Sequence, residues 1–203
     1  MVKNTATKTD FLKTLSWVLV VGSILGILAS AALTLDKIKI LENPNFVPAC
    51  SINPIISCGS VMKSSQSHVF GFDNPLIGLV LYGGTLAIGV ALLAGGRFKR
   101  WFWLGLQAGT LFGVGFVHWL ISQSLYRINA LCLYCMLVWL VTIPIFWYTT
   151  LYNLEKGYLK TPKKLAGLAK FAKHHHVDIL ILWFVAIAAL ILNRFWYYFK
   201  TVL

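Results

Sequence analysis

Apolar residues fall in five long runs, at 15–35, 75–94, 101–125, 130–152 and 179–199, with charged and turn-forming residues gathered between them. Each run has the roughly 20 residues a helix needs to cross a hydrocarbon core about 30 Å thick. The connection after the first run is about 40 residues long and the one after the fourth about 25. The pattern predicts an all-α integral membrane protein, a single transmembrane domain over residues 1–203 with five spanning helices.

Lys3, Lys8 and Lys13 precede the first run, and Ala29-Ser30-Ala31 has the look of a cleavage site. The run is longer than the 7–15 apolar residues of a secretory signal, so it is read as a retained helix.

Composition agrees. Hydrophobic residues make up 58% of the chain and charged residues 12%, about half the charged share of a soluble domain. The surface therefore belongs in a lipid bilayer. The net charge of +12 sits in short segments between the runs, which speaks for topology and against nucleic acid as a partner. Lys3, Lys8, Lys13, Arg97, Lys99, Arg100, Lys156, Lys160, Lys163, Lys164, Lys170 and Lys173 fall on one side of the alternation. Only Lys37, Lys39, Lys63, Arg127, Arg194 and Lys200 fall on the other, where Asp36, Glu42 and Asp73 offset some of them. The positive-inside rule then puts the N-terminus in the cytoplasm and the C-terminus outside the cell membrane.

The candidate chemistry lies in four cysteines. Cys50 and Cys58 occupy the first connection, and Cys132-Leu133-Tyr134-Cys135 opens the fourth run. Two spans separate the pairs, so both face one side whatever the absolute orientation. By the charge count that side is the outside, where disulfides persist. Four cysteines allow three pairings, and spacing does not choose among them.

The pairs differ physically. Cysteines three apart at a helix start share a face, and the first sulfur sits near the positive end of the helix dipole, which favours a thiolate. Cys50 and Cys58 lie among Pro, Asn, Ser and Gly, in a segment expected to be free to move. A movable pair beside a fixed one suits a two-step disulfide relay. No His follows Cys135 and no second Cys-x-x-Cys is present, so neither haem attachment nor a metal site is expected. The rival reading is a membrane assembly or transport protein with structural disulfides. It would require polar residues within the spans, where His118 is the main exception.

Residues 43–62 with their two cysteines, Phe70-Gly71-Phe72-Asp73-Asn74-Pro75 before the second run, and Cys132-Leu133-Tyr134-Cys135 together resemble bacterial members of the vitamin K epoxide reductase (VKOR) family. The resemblance implies a four-helix bundle around a quinone, of the menaquinone or ubiquinone kind, with a fifth helix alongside. It also implies that Cys50 exchanges with a thioredoxin-fold partner of the DsbA type, that Cys58 relays to Cys132, and that Cys135 reacts with the quinone. Asn74 matches a position that hydrogen-bonds a quinone carbonyl. Trp139 stands where vertebrate members have tyrosine, and an indole donates but does not accept. No thioredoxin-like domain follows the fifth run, so the partner is expected in trans. The other bacterial quinone-linked disulfide generator carries its cysteine pairs in the reverse order.

A flat quinone needs an apolar slot with few polar contacts. Phe72, Phe116, Trp119 and Trp139 are candidates to line it, with Phe46 and Phe70 nearby, and His118 is a candidate proton donor. The run His174-His175-His176 is read as a solvated juxtamembrane segment. Gly83-Gly84, Gly105 with Gly109, and Gly113 with Gly115 are expected at close helix contacts.

Overall fold

A computed structural model describes residues 11–159, 162 and 166–202. Lys3, Lys8, Lys160, Lys163 and Lys164 of the charge count lie outside the described residues. The long helices are α1 (Phe11–Glu42), α3 (Asn74–Leu93), α4 (Arg100–Gln123), α5 (Leu133–Glu155) and α7 (His176–Val202). Two short ones, α2 (Cys58–Lys63) and α6 (Ala166–His174), lie in the longer connections. All five long helices are apolar and long enough to cross a membrane. The protein is an all-α integral membrane protein, and among the described residues the only extended pairing is an isolated parallel bridge between Ile56 and Leu131.

Helix α1 runs on past its apolar stretch. Its 32 residues reach about 48 Å at 1.5 Å per residue, more than the bilayer core requires. The extra turns carry Lys37, whose Nζ donates to the Met62 carbonyl at 2.7 Å and lies 3.6 Å from an Asp73 carboxylate oxygen. The first connection is thereby tied to the helix that enters it.

Helix α1 packs on α3 and α5, and α5 in turn packs on α4. Leu15, Leu19, Tyr82, Trp103, Ile145 and Leu151 fill one end of the bundle, while Val117, Ile121, Leu125, Trp139 and Ile143 fill the other. Helix α7 lies along the outside with most of its length exposed, and buries Ile187 and Phe195.

The glycines depart from expectation. At Gly83, Gly84, Gly105, Gly109 and Gly115 an added Cβ would meet nothing within 4 Å, so these positions make no close helix contact. Close contact falls instead at Gly26, which receives the Tyr82 ring, at Gly78 against Ser30, and at Gly89, where a Cβ would lie 3.0 Å from the Val20 backbone nitrogen. Gly84, Gly105 and Gly109 border an open space.

Candidate active site

The first connection is more ordered than a run of turn formers suggests. The Asn53 side-chain oxygen accepts from the backbone N–H groups of Ile55 at 3.0 Å and Ile56 at 2.6 Å, an Asx turn. Ser57 then caps α2 by accepting from the Ser60 N–H. Between these devices the backbone pairs with the segment before α5. Leu131 N–H donates to the Ile55 carbonyl at 2.7 Å, and Ser57 N–H donates to the Leu131 carbonyl at 2.9 Å. The segment expected to move is therefore pinned, and its anchor is the residue next to Cys132.

That pairing brings the sulfurs together. Cys50 and Cys58 form a disulfide with Cα atoms 5.7 Å apart, while Cys132 and Cys135 are free thiols. The Sγ atoms of Cys50, Cys58 and Cys132 all lie within 4.8 Å of one another. All three cysteines are buried, Cys58 and Cys132 completely. Cys132 is the N-cap of α5, in extended conformation at φ −120° and ψ 125°. A hydrogen bond with the Cys135 thiol holds the Cys132 thiol below its ordinary pKa, against the opposing effect of burial. A lowered pKa makes Cys132 the better leaving group in exchange.

Cys135, one turn on, borders a cavity of about 370 Å³. Helices α3 and α4 face each other across it, α5 forms the back, and the Val61–Ser67 part of the first connection covers it. This is the size and apolar character of a small-molecule site. Trp139, in the wall next to Cys135, is 4% exposed. Its Nε1–H has no hydrogen-bond partner among the described residues. A buried donor left unsatisfied costs about 1–3 kcal/mol, and here it belongs to a cavity wall. The residues fit the expected quinone: a free cysteine, an unengaged indole donor and an apolar slot meet in one place.

The other predicted residues divide. Asn74 borders the cavity, but its amide is largely engaged, since Nδ2 donates to the Gln66 carbonyl at 2.7 Å and Oδ1 accepts from Val69 N–H at 3.2 Å. One amide hydrogen remains. Phe116 borders the cavity and packs against Phe70 with ring centroids 5.6 Å apart. Phe72 and Trp119 are not among the lining residues: Phe72 packs on Phe70, and Trp119 stacks on Phe116 at 5.8 Å. Phe46 packs near Cys50 under the Lys39 ammonium, 5.4 Å from its ring centroid.

His118 lies outside the lining and turns toward α7. Its Nδ1 donates to the Val114 carbonyl at 2.8 Å and its Nε2 accepts from Trp183 Nε1 at 2.9 Å. Both ring nitrogens are used, so it is a satisfied interior group facing another helix. Sequence reasoning missed Tyr82 and Thr142, which line the cavity and share a hydrogen bond of 2.6 Å. Each sits singly in an apolar run, and the one available signal was that a polar group within a span seeks an internal partner.

No curated protein matches the chain. Residues 17–150, well over half of the chain, match the Vitamin K epoxide reductase family. That stretch contains both cysteine pairs and every residue that borders the cavity. The chain belongs to the vitamin K epoxide reductase family and is a membrane thiol–disulfide oxidoreductase.

Proposed function

We propose that this protein generates disulfides in exported proteins, oxidising a separate thioredoxin-fold partner of the DsbA type and reducing a menaquinone or ubiquinone. The observation that carries the reading is the meeting of three sulfurs within 4.8 Å beside a cavity that takes the fourth cysteine into its wall.

The relay starts with both pairs oxidised. A partner thiolate attacks Cys50, the Cys50–Cys58 bond breaks, and Cys58 leaves as a thiolate. The partner's second thiolate resolves the mixed disulfide, so the partner departs oxidised and Cys50 is freed. Cys58 then attacks Cys132, the Cys132–Cys135 bond breaks, and Cys135 leaves as a thiolate at the cavity wall. Attack of Cys50 on Cys58 closes the loop pair again and expels Cys132, whose lowered pKa favours departure. Two electrons now reside on Cys132 and Cys135, and the partner has released two protons. A quinone in the cavity supplies the sink for two electrons and two protons. Trp139 Nε1–H and the remaining Asn74 amide hydrogen are the donors that would hold its carbonyls, and closure of Cys132–Cys135 completes the cycle.

The Trp139 contribution has a definite size. Trp139→Phe keeps an aromatic ring but loses the donor, and a net hydrogen bond is worth about 0.5–1.5 kcal/mol. The KM for quinone should rise roughly two- to twelvefold, with exchange at Cys50–Cys58 unchanged. An unaltered KM in steady-state quinone reduction would remove Trp139 from ring recognition.

Orientation is part of the proposal: the N-terminus cytoplasmic, the cysteines extracytoplasmic, the C-terminus outside. A membrane-impermeant thiol reagent added to intact cells after reduction should label Cys50 or Cys58. Labelling that appears only after lysis would reverse the topology.

A further inference from the structure

Helix α7 lies beyond the residues that match the family, yet one of its turns reaches into the segment that delivers Cys132. Helix α4 passes into a single π turn, Ser124–Ile128, and then Asn129 adopts the left-handed conformation at φ 55°. Asparagine tolerates that region better than most residues. The N–H groups of Asn129 and Ala130 both turn back to the Ser124 carbonyl. The neighbouring Leu125 carbonyl is taken by Arg194, whose Nε donates to it at 2.8 Å. The Nη2 of the same guanidinium donates to the Asn129 side-chain oxygen. One planar fork thus holds both ends of the turn, a reach that a lysine ammonium does not reproduce.

The next residue drives the same point home from the apolar side. Phe195 departs from helical geometry at φ −102° and ψ 16°, and is 1% exposed. It packs in one cluster with Ile55, Leu125 and Leu131. Leu131 is the residue whose backbone pairs with Ile55 and Ser57, and it is followed directly by Cys132. A continuous chain of contacts therefore runs from Arg194 through Asn129 and Leu131 to the sulfur facing Cys58.

We infer that Arg194 is a positioning residue for the disulfide relay, fixing the π turn and Asn129 so that Cys132 lies in line for exchange with Cys58. This rests on the relay proposed above. Exchange needs the attacking sulfur close to the bond it breaks, and misplacement by about 1 Å can cost on the order of a hundredfold in rate. The guanidinium touches no reacting atom; its effect passes through the backbone before α5.

The test uses the full chain carrying Cys135→Ser, prepared with Cys50–Cys58 closed. In this protein the Cys132 thiolate attacks Cys58, forming Cys58–Cys132, breaking Cys50–Cys58 and releasing the Cys50 thiolate. No external oxidant is consumed, and an alkylating reagent captures Cys50 as it is freed. Mass spectrometry of timed, non-reduced digests follows the bridge. Adding Arg194→Gln should slow its formation roughly tenfold or more. Adding Asn129→Gly on top should slow it little further, because both act through one turn. In the protein with Cys135 intact, Arg194→Gln should lower kcat and leave the KM for quinone unchanged. If Arg194→Gln does not insert and fold, the comparison is made with Arg194→Lys, which keeps the charge and loses the fork. Failure of the bridge to form even with Arg194 present would refute the relay itself. A bridge that forms equally fast with and without the guanidinium, or slowing that multiplies across Arg194 and Asn129, would overturn the positioning role.

Discussion

A Cys135→Ser protein should lose quinone reduction to the background level while its loop pair still exchanges with partner. The reason is the division of labour among the sulfurs. Cys132 lies within 4.8 Å of the loop disulfide and is completely buried, whereas Cys135 is the cysteine that borders the cavity. Electrons that reach Cys132 can leave only by way of Cys135. With serine there, no Cys132–Cys135 disulfide can form, so nothing accepts attack from Cys58 and nothing re-forms at the cavity. A Cys58–Cys132 bridge should form instead by attack of the Cys132 thiolate on Cys58 with release of the Cys50 thiolate, and should accumulate as oxidised partner takes up Cys50, because Cys135 is not there to reopen it at Cys132. Non-reduced digests read by mass spectrometry distinguish the outcomes. Only Cys50–Cys58 with Cys132 free would return the loop pair to a structural disulfide, and undiminished quinone turnover would undo the order of electron flow.

Filling the cavity should have the next largest effect. Gly105 and Gly109 border it from α4, and a Cβ at either meets nothing within 4 Å. Leucine at both positions would project into the space a ligand requires, without striking a packed neighbour helix. At roughly 1–3 kcal/mol of overpacking per leucine, the KM for quinone should rise on the order of a hundredfold or more. Thermal stability in detergent should stay close to that of the parent, and exchange at Cys50–Cys58 should be untouched. A large fall in melting temperature instead would mean that α4 packs closely there after all. Unchanged quinone kinetics would take the ligand out of this cavity.

These positions also show what the amino-acid pattern could and could not carry. The five helices were legible because a bilayer demands long apolar runs and little else satisfies that demand. The convergence of both cysteine pairs on one face followed from helix parity alone. The glycines were legible as gaps but not as to what fills them. Gly26, Gly78 and Gly89 admit α1 against α3, whereas Gly84, Gly105 and Gly109 leave a cavity, and one-dimensional spacing does not say which helix stands opposite.

His118 was visible as a polar group in a span, but its partner Trp183 lies 65 residues away on α7. The order of the first connection was hidden for a similar reason. Pro, Asn and Ser mark turns, while its pinning comes from Leu131 and Lys37, both distant in sequence. Arg194 counted only as a charge, since its acceptors Leu125 and Asn129 become available through the π turn that ends α4.

The coupling of thiols to quinone is tested most directly by one anaerobic assay on the purified protein. Reduced DsbA-type partner and a soluble quinone are mixed with it, quinone loss is followed by absorbance, and partner thiols are counted by alkylation. The relay predicts one quinol formed for each partner disulfide, and neither product when the protein is omitted. Partner oxidation without quinone loss, or quinone loss that leaves the partner thiols intact, would contradict it.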